Sequence, residues 1–196
     1  LTDYRNSPGD LNSDGTLQGE ITPTSNFYQV SKNTFNPNVD GKSWKLTIDG
    51  LVDNPQTFDL DTISQFPRQK VYHTLTCISN EVGGDYIGNA EWSGIQFKTL
   101  LDKAGVKAGV KKVVFTSADR YKDSITIEKA MEPNTTLAVE MNGAPLTTDH
   151  GYPARMLIPN IYGMKNAKWL TGITLIDTDF AGFWQQQGWH NTATIH

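Results

Sequence analysis

The sequence contains a single cysteine, Cys77, in 196 residues. One thiol cannot form an internal disulfide, so cross-links are not expected to stabilise the chain, and the redox compartment cannot be read from cysteine pairing. The length is nevertheless sufficient for a hydrophobic core in one domain. A lone cysteine is most often a small buried apolar residue, and this is the reading against which any function for the thiol must be weighed.

Long apolar runs and clustered positive charge are also missing. No run reaches the roughly 18 apolar residues of a membrane span, and no charged stretch followed by an apolar segment begins the chain, so neither a span nor a signal peptide is expected. Lys and Arg number 17 against 21 Asp and Glu, for a net charge of −4. The basic residues are scattered, which argues against a nucleic-acid partner.

The first 20 residues are predicted to be an extended lead-in because they are polar and have little periodicity. The domain itself is expected over residues 21–196. Part of a calcium-loop pattern occurs in the lead-in, at Asp10, Asn12, Asp14 and Gly15. The twelfth position of that pattern needs a bidentate carboxylate but holds Ile21, so we favour a polar loop and do not expect calcium.

Short strands dominate the predicted elements. They are expected at residues 44–50, 57–60, 71–77, 113–116, 125–127, 137–141, 155–158 and 169–176. Apolar residues at three- and four-residue spacings predict a helix from Phe97 to Ala104, ended by Gly105, and Asp61 is expected to cap a short helix through Phe66. Many strands, few helices and no βαβ alternation indicate an α+β domain with mainly antiparallel or mixed sheets.

Two stretches of the sequence contain side chains that could take part in catalysis or bind a ligand. Cys77 ends an alternating strand just before a glycine-containing loop, where functional side chains often lie. Arg155, Lys165 and Lys168 fall in or beside a second glycine-containing stretch, and a guanidinium with neighbouring ammonium groups suits a phosphate dianion. From spacing alone, the second set is better interpreted as an ordinary surface loop with solvated cations.

Several blocks in one order carry a family resemblance. They are Phe27-Tyr28, WKLTIDGLV (44–52), CISNEVGG (77–84), EWSG (91–94), MNGAPL (141–146), HGYPAR (150–155), YGMK (162–165) and KWL (168–170). Together they resemble the molybdopterin-binding domain of the sulfite oxidase family, and most of all its bacterial molybdopterin-dependent oxidoreductases. The resemblance covers residues from about 21 to 189 and implies the sulfite-oxidase-type fold.

The resemblance assigns tasks to individual residues. Cys77 would be the thiolate ligand of molybdenum, a soft anionic donor beside the dithiolene sulfurs of one molybdopterin. The residues implied in cofactor binding are Phe27, Tyr28, Asn33, Ser124, His150, Arg155, Gly163, Met164, Lys165 and Lys168. Trp189 takes the place of the family's active-site tyrosine and is the second residue expected to be catalytic.

The implied reaction is oxygen-atom transfer in a two-electron Mo(VI)/Mo(IV) cycle on a small-molecule substrate. Electrons would then pass to or from a haem or quinone partner. The chain has no Cys-x-x-Cys-His motif, so this partner is expected on another chain or region. The resemblance further implies an extracytoplasmic location, with a membrane tether outside this chain. Because the family's immunoglobulin-like dimerisation domain is absent, a monomer is expected.

Departures from the family pattern bear on the substrate. Ser31 and Val82 stand where sulfite oxidases have arginines, and a buried dianion needs paired positive charge, so sulfite is not expected as the substrate. One alternative is a catalytically silent pterin-binding module. Another is a sortase-like cysteine transpeptidase, suggested by the strand ending at Cys77, although such enzymes require a histidine well upstream and an arginine soon after the cysteine.

Overall fold

The computed structural model describes residues 21–195. The predicted lead-in 1–20 and its calcium-type pattern lie outside the described residues. The strands are β1 Leu46–Gly50, β2 Gln56–Phe58, β3 Gln69–Thr76, β4 Ile87–Gln96, β5 Lys112–Ser117, β6 Lys122–Thr126, β7 Thr136–Met141, β8 Ala144–Pro145, β9 Arg155–Leu157 and β10 Leu170–Ile176. The α-helices are α1 Leu60–Ser64, α2 Phe97–Ala104 and α3 Ile127–Ala130. No helix in the described part of the chain is long and apolar enough to cross a membrane.

The strands form two sheets. The first has the order β2-β1-β10-β5-β6, and the second has the order β3-β4-β7-β8 with β9 also paired to β7. The β1–β10 pairing is parallel, whereas the other pairings are antiparallel. This arrangement confirms the predicted α+β class with mixed sheets.

Local sequence explains several of these elements. In α2, Phe97, Leu100, Leu101 and Ala104 are all buried, as their spacing predicts, and Gly105 ends the helix with a φ of 71°. Such a left-handed residue suits glycine because it has no Cβ. The β7–β8 hairpin turns through Asn142 and Gly143, whose φ values are 52° and 78°. This is the tight turn that an Asn-Gly pair favours.

The structure corrects the predicted start of the short helix. Asp59, not Asp61, is the N-cap, because its carboxylate accepts hydrogen bonds from the Thr62 backbone N–H at 2.9 Å and from the Thr62 hydroxyl at 2.6 Å. Asp61 therefore lies within the first turn, and the helix ends at Ser64. Ile127 is likewise not a strand residue, because Thr126 caps α3 through the backbone N–H of Lys129.

Two hydrophobic clusters divide the interior. The larger cluster packs α2 with residues of both sheets and includes Phe97, Phe115 and Ile173, with Ile95 and Leu137 from the second sheet. The smaller cluster gathers around Trp92 in the second sheet and includes Phe27 and Leu75. The end of β3, the β5–β6 turn and the start of β10 all contribute to one cavity where the two sheets meet.

Candidate cofactor cavity and active site

A cavity of about 160 Å³ lies between the two sheets. Of the residues that the sequence singled out, its wall contains Phe27, Tyr28, Cys77, His150, Arg155, Gly163, Met164, Lys168 and Trp189. These residues come from six separate stretches of chain. Chain folding therefore gathers most of the predicted cofactor-binding set around one space that also contains the only thiol.

Cys77 is a free, partly buried thiol directly after β3. Its backbone N–H donates to the Tyr86 carbonyl at 2.9 Å, and the Asn80 amide oxygen accepts from the Tyr86 N–H at 2.8 Å. These bonds close the 77–86 loop and hold the cysteine at its base. The Sγ lies 3.1 Å from the Ser79 hydroxyl. A thiol on a fixed loop at a cavity wall is well placed to act as a metal ligand.

Arg155 places a buried guanidinium in the wall. Its Nη atoms donate to the carbonyls of His150 at 3.2 Å and Asn166 at 3.3 Å, but its Nε–H has no partner within residues 21–195. The guanidinium lies over the Trp92 ring, 5.1 Å from the ring centroid. Burial lowers the pKa of Arg155 to about 10, although the neighbouring Tyr28 acts in the opposite direction. A cation held by neutral groups can accept an anionic ligand.

The aromatic side of the cavity consists of Phe27, Tyr28 and His150. Phe27 stacks on Tyr28 with centroids 5.6 Å apart and meets His150 edge-on at 5.6 Å. His150 Nε2 is 3.0 Å from the Thr24 carbonyl, and burial lowers the pKa of the imidazole. Burial also raises the pKa of the Tyr28 phenol well above its usual range. Both groups are therefore neutral at neutral pH, as a hydrogen-bonding wall for a flat heterocycle requires.

Lys168 is the second cation in the wall. Its ammonium group donates to the Ser31 hydroxyl at 3.1 Å and to the Asp149 carbonyl at 3.0 Å, and it lies 4.3 Å from the centroid of the Trp169 ring. Burial lowers the pKa of Lys168 to about 7, and the nearby charge of Arg155 contributes in the same direction. Both hydrogen-bond partners are uncharged, so Lys168 also remains available to an anion.

Three predicted binding residues do not line this cavity. Lys165 directs its ammonium to the Asp123 carboxylate and the Ser124 carbonyl, both at 2.8 Å. The Ser124 hydroxyl donates to the Phe180 carbonyl at 2.9 Å. Asn33 donates to the Asp119 carboxylate at 3.5 Å, near the rim. Their roles in cofactor binding stay predictions, and only the backbone of the 163–165 turn brings Lys165 close to the cavity.

Of the three residues that depart from the sulfite oxidase pattern, two line the cavity and one does not. Ser31 lines the cavity and accepts the hydrogen bond from Lys168. Trp189 lines the opening and is 40% exposed. Val82 is fully exposed on the 77–86 loop and does not line the cavity. The loop turns the Val82 side chain to solvent, so this departure from the family pattern does not change the cavity wall.

Some wall residues were not predicted from the sequence. Ser117, Asp119 and Tyr121 come from the β5–β6 turn, and Lys32 and Trp184 lie near the opening. Ser117 is buried, and its hydroxyl has no partner in the part of the chain that the structure describes. Nothing in the local sequence marks these residues, because strand pairing in the first sheet brings their turn to the cavity. The end of a strand, where Ser117 lies, is the one available signal.

These observations fit a large anionic cofactor bound near the thiol. Arg155 Nε and the Ser117 hydroxyl are buried wall atoms that find no partner among the described residues, and a bound group can satisfy them. The described residues contain no group of three or more His, Cys, Asp or Glu that could hold a metal ion. A metal at this site would therefore need other ligands besides Cys77, and a cofactor that carries its own sulfur ligands meets that need.

Comparisons with known proteins agree with this description. The family described as "Oxidoreductase molybdopterin binding domain" matches residues 33–184. Sulfite oxidase from Arabidopsis thaliana is 33% identical over 85% of this chain and 50% of its own length. The uncharacterized oxidoreductase YuiH from Bacillus subtilis is 31% identical over 77% of this chain and 74% of its own length. The chain thus spans half of the plant relative.

A solved structure extends the likeness to the fold. The sulfane dehydrogenase SoxCD from Paracoccus pantotrophus superposes with a TM-score of 0.76 and 26% identity, over 91% of this chain and 50% of that chain. Fold and cavity together define an α+β domain that binds a redox cofactor beside a single thiol. The chain belongs to the oxidoreductase molybdopterin-binding domain family, among the sulfite-oxidase-type oxidoreductases. Its cofactor is accordingly molybdopterin with molybdenum, as predicted.

Proposed function

We propose that this domain transfers an oxygen atom to or from a small uncharged substrate, and that a sulfoxide or N-oxide fits better than sulfite. When bound, the molybdenum cofactor supplies a two-electron couple that can give up or accept an oxygen atom. The chain's own residues hold that cofactor and shape the space above it. Reduction of a sulfoxide would consume two electrons and two protons and release the thioether and water.

The observation that carries the proposal is the composition of the opening above Cys77. Ile78, Trp184 and Trp189 contribute apolar surface there. Ser31 occupies the place of a substrate-binding arginine, and its hydroxyl already bonds to Lys168 and to the Asn36 amide oxygen. Among the described wall residues, only Lys32, Arg155 and Lys168 are cationic. If Arg155 and Lys168 bind the cofactor phosphate, only Lys32 is left for a dianion, which would remain poorly compensated.

The wall supplies hydrogen-bond donors for the cofactor and the substrate. Lys168 Nζ is held by the Ser31 hydroxyl and the Asp149 carbonyl, and with Arg155 it is assigned to the cofactor phosphate. Tyr28 keeps its proton, because burial raises the pKa of its phenol, and it can act as a fixed hydrogen-bond donor. Cys77 holds the metal as a thiolate. We assign Arg155 and His150 to cofactor binding and Trp189 to the substrate side of the cavity.

Relatives support two different substrates. A putative protein-methionine-sulfoxide reductase subunit, YedZ1 from Azospira oryzae, is 30% identical over 78% of this chain and 56% of its own length. This supports a sulfoxide. Sulfite oxidation is the second candidate, favoured by the plant sulfite oxidase and by the cationic Lys32 at the opening. The transpeptidase alternative lacks support, since no histidine of the described residues hydrogen-bonds to Cys77, whose sulfur contacts Ser79.

The electron partner and the location are part of the same proposal. Because the domain handles electron pairs at one metal, a haem or quinone-linked partner on another chain or region would carry the electrons singly. We propose an extracytoplasmic site of action, a tether outside these residues and a monomeric domain. The wide opening flanked by Trp184 and Trp189 would be the route for substrate.

The proposal is tested on protein made in a host that synthesises molybdopterin. We expect close to one molybdenum per chain by mass spectrometry, and reduction of dimethyl sulfoxide or trimethylamine N-oxide with a viologen donor. Sulfite with ferricyanide should be turned over at least about 100-fold less efficiently in kcat/KM, a difference of about 2.7 kcal/mol. A higher efficiency with sulfite would instead establish the second candidate.

Cys77→Ala supplies the matched variant. It should abolish turnover and the molybdenum EPR signal while the protein keeps much of its pterin. Thr74→Ala is the control, because Thr74 is exposed on the same strand and faces away from the cavity. Protein that contains neither metal nor pterin when made in that host would refute the proposal and would favour a non-catalytic module.

A further inference from the structure

A second cavity lies on the far side of Lys165 from the cofactor site. It has a volume of about 220 Å³, and β6, the start of α3 and the C-terminal stretch 191–194 surround it. Ser124, Ile125, Ile161 and Lys165 form its buried interior. Thr126, Thr192 and Thr194 are exposed at its rim. The cavity is therefore open to solvent and polar around its edge.

Three lysines and no carboxylate are found among the described residues that line this cavity. Lys112, Lys129 and Lys165 have side chains only 14%, 19% and 2% exposed, respectively. Each is paired with an acid, Asp179, Glu132 or Asp123. None of these three acids belongs to the cavity lining. Each ammonium group is thus paired with an acid from outside the lining, and an anion in the space would not contact these three carboxylates.

Donors remain available to a ligand. An ammonium group has three N–H bonds, and Lys112 and Lys129 each use one in the ion pairs. Lys165 is fully engaged with Asp123, Ser124 and Asn191, so it contributes charge to the wall. Burial lowers the pKa of Lys165, and repulsion by the nearby Lys112 acts in the same direction. The Asp123 carboxylate beside Lys165 opposes both effects on this pKa.

We propose that this cavity is an oxyanion site for a small tetrahedral anion such as phosphate or sulfate, held by Lys112, Lys129 and the rim threonines. The chemistry favours such a ligand because ammonium and hydroxyl groups can donate hydrogen bonds to several oxygens at once. The volume of the cavity is also larger than that of one such anion. The site is independent of the proposed reaction. Its lining shares no residue with the cofactor cavity.

A chain of hydrogen bonds links the two cavities. Lys165 bonds to Asp123, and Asp123 accepts from the Tyr121 phenol at 3.1 Å. The same phenol is 2.6 Å from the Met164 carbonyl, and both Tyr121 and Met164 line the cofactor cavity. An anion near Lys165 therefore sits two hydrogen-bonded groups away from the cofactor site.

The test is titration of the cofactor-loaded protein with inorganic phosphate and, separately, sulfate. We expect saturable one-site binding by calorimetry, with NMR amide shifts confined to residues around Thr126, Thr192 and Thr194. Lys112→Ala and Lys129→Ala should each weaken binding at least about tenfold, as loss of one charge-assisted contact predicts. Acetate, which is planar and carries one charge, should bind more weakly than either tetrahedral anion.

Lys111→Ala is the control, because Lys111 neighbours Lys112 in sequence but is exposed and lies outside the cavity lining. It should change affinity less than about twofold. Absence of saturable binding, an equal loss in the Lys111 variant, or binding seen only in cofactor-free protein would each overturn the proposal. The last result would place the anion in the cofactor cavity instead. Circular dichroism of each variant verifies that loss of affinity is not loss of fold.

Discussion

Arg155 and Lys168 each place a positive charge in the cavity wall without a carboxylate partner among the described residues. Leaving such groups partly desolvated costs stability in the cofactor-free protein. The same cost makes them effective binding groups, because a bound phosphate supplies the negative charge that no carboxylate of the described residues provides. Their carbonyl and hydroxyl partners fix the direction of the donors without neutralising them.

Lys168 allows a pH test of this argument. Its pKa is lowered from 10.5 to about 7 in the folded protein, so between these values the unfolded chain binds more protons. The unfolding free energy of the cofactor-free protein should therefore rise with pH across this window. The penalty is fully present below about pH 7 and disappears above about pH 10.

Lys168→Met should remove the penalty. The cofactor-free variant should gain on the order of 1–2 kcal/mol at about pH 6, and the gain should vanish near pH 10. Urea unfolding at both pH values measures it, and the exposed Lys42→Met is the control that should show no such pH dependence. A gain of equal size at both pH values would contradict a buried charge as its source.

At the scale of secondary structure, β4 shows how closely the second sheet is packed around Trp92. A Cβ added at Gly94 would lie 2.1 Å from the Leu137 carbonyl oxygen and 2.7 Å from the Ala138 Cα, both of which are backbone atoms of β7. A backbone atom cannot move aside as a flexible side chain can. Gly94 is therefore required for β4 and β7 to pair, and β7 in turn positions β9 with Arg155.

We expect Gly94→Ala to lower the unfolding free energy by about 3 kcal/mol, at the upper end of overpacking effects. Gly172→Ala in β10 is the matched control, since a Cβ there would meet Thr116 at an ordinary 3.5 Å. That control should change stability by less than about 1 kcal/mol. Chemical denaturation of both variants makes the comparison, and equal losses would show that glycine content, not the close approach to β7, matters.

The sequence was sufficient to predict those helices, strands and turns that depend on the pattern of neighbouring residues. The strand before Cys77, the α2 helix and the Asn142-Gly143 turn each follow from neighbouring residues. The ten-residue strand β4 carried no such signal, because its burial is nearly continuous over residues 92–95 and it includes small residues. Ser117 and Asp119 were missed for a different reason: only the pairing of β5 with β6 and β10 brings them to the cavity.

At the scale of the whole molecule, the cavity depends on contact between two sheets, and the larger hydrophobic cluster contains residues of both. One buried ion pair belongs to this junction. Lys165 in the 163–165 turn meets Asp123 of β6 at 2.8 Å, with side chains only 2% and 0% exposed. The pair therefore fixes a cavity-lining turn to the edge strand of the first sheet. The ion pair with Asp123 also gives Lys165 a structural role, which is an alternative to the predicted contact with the cofactor phosphate.

A double-mutant cycle separates these two roles. Lys165→Met alone would leave the Asp123 carboxylate buried and unpaired, and should cost about 3–5 kcal/mol of unfolding free energy. Adding Asp123→Asn should recover most of that loss, since the amide keeps the shape and needs no counter-charge. The exposed Lys98–Asp102 pair, taken through the same cycle, should show coupling below about 0.5 kcal/mol.

If Lys165 acts through Asp123, the double variant should also recover pterin content, measured by fluorescence of the released cofactor. Restored stability without restored pterin would show that the ammonium serves the cofactor directly, because only then does its charge matter after the fold has been repaired.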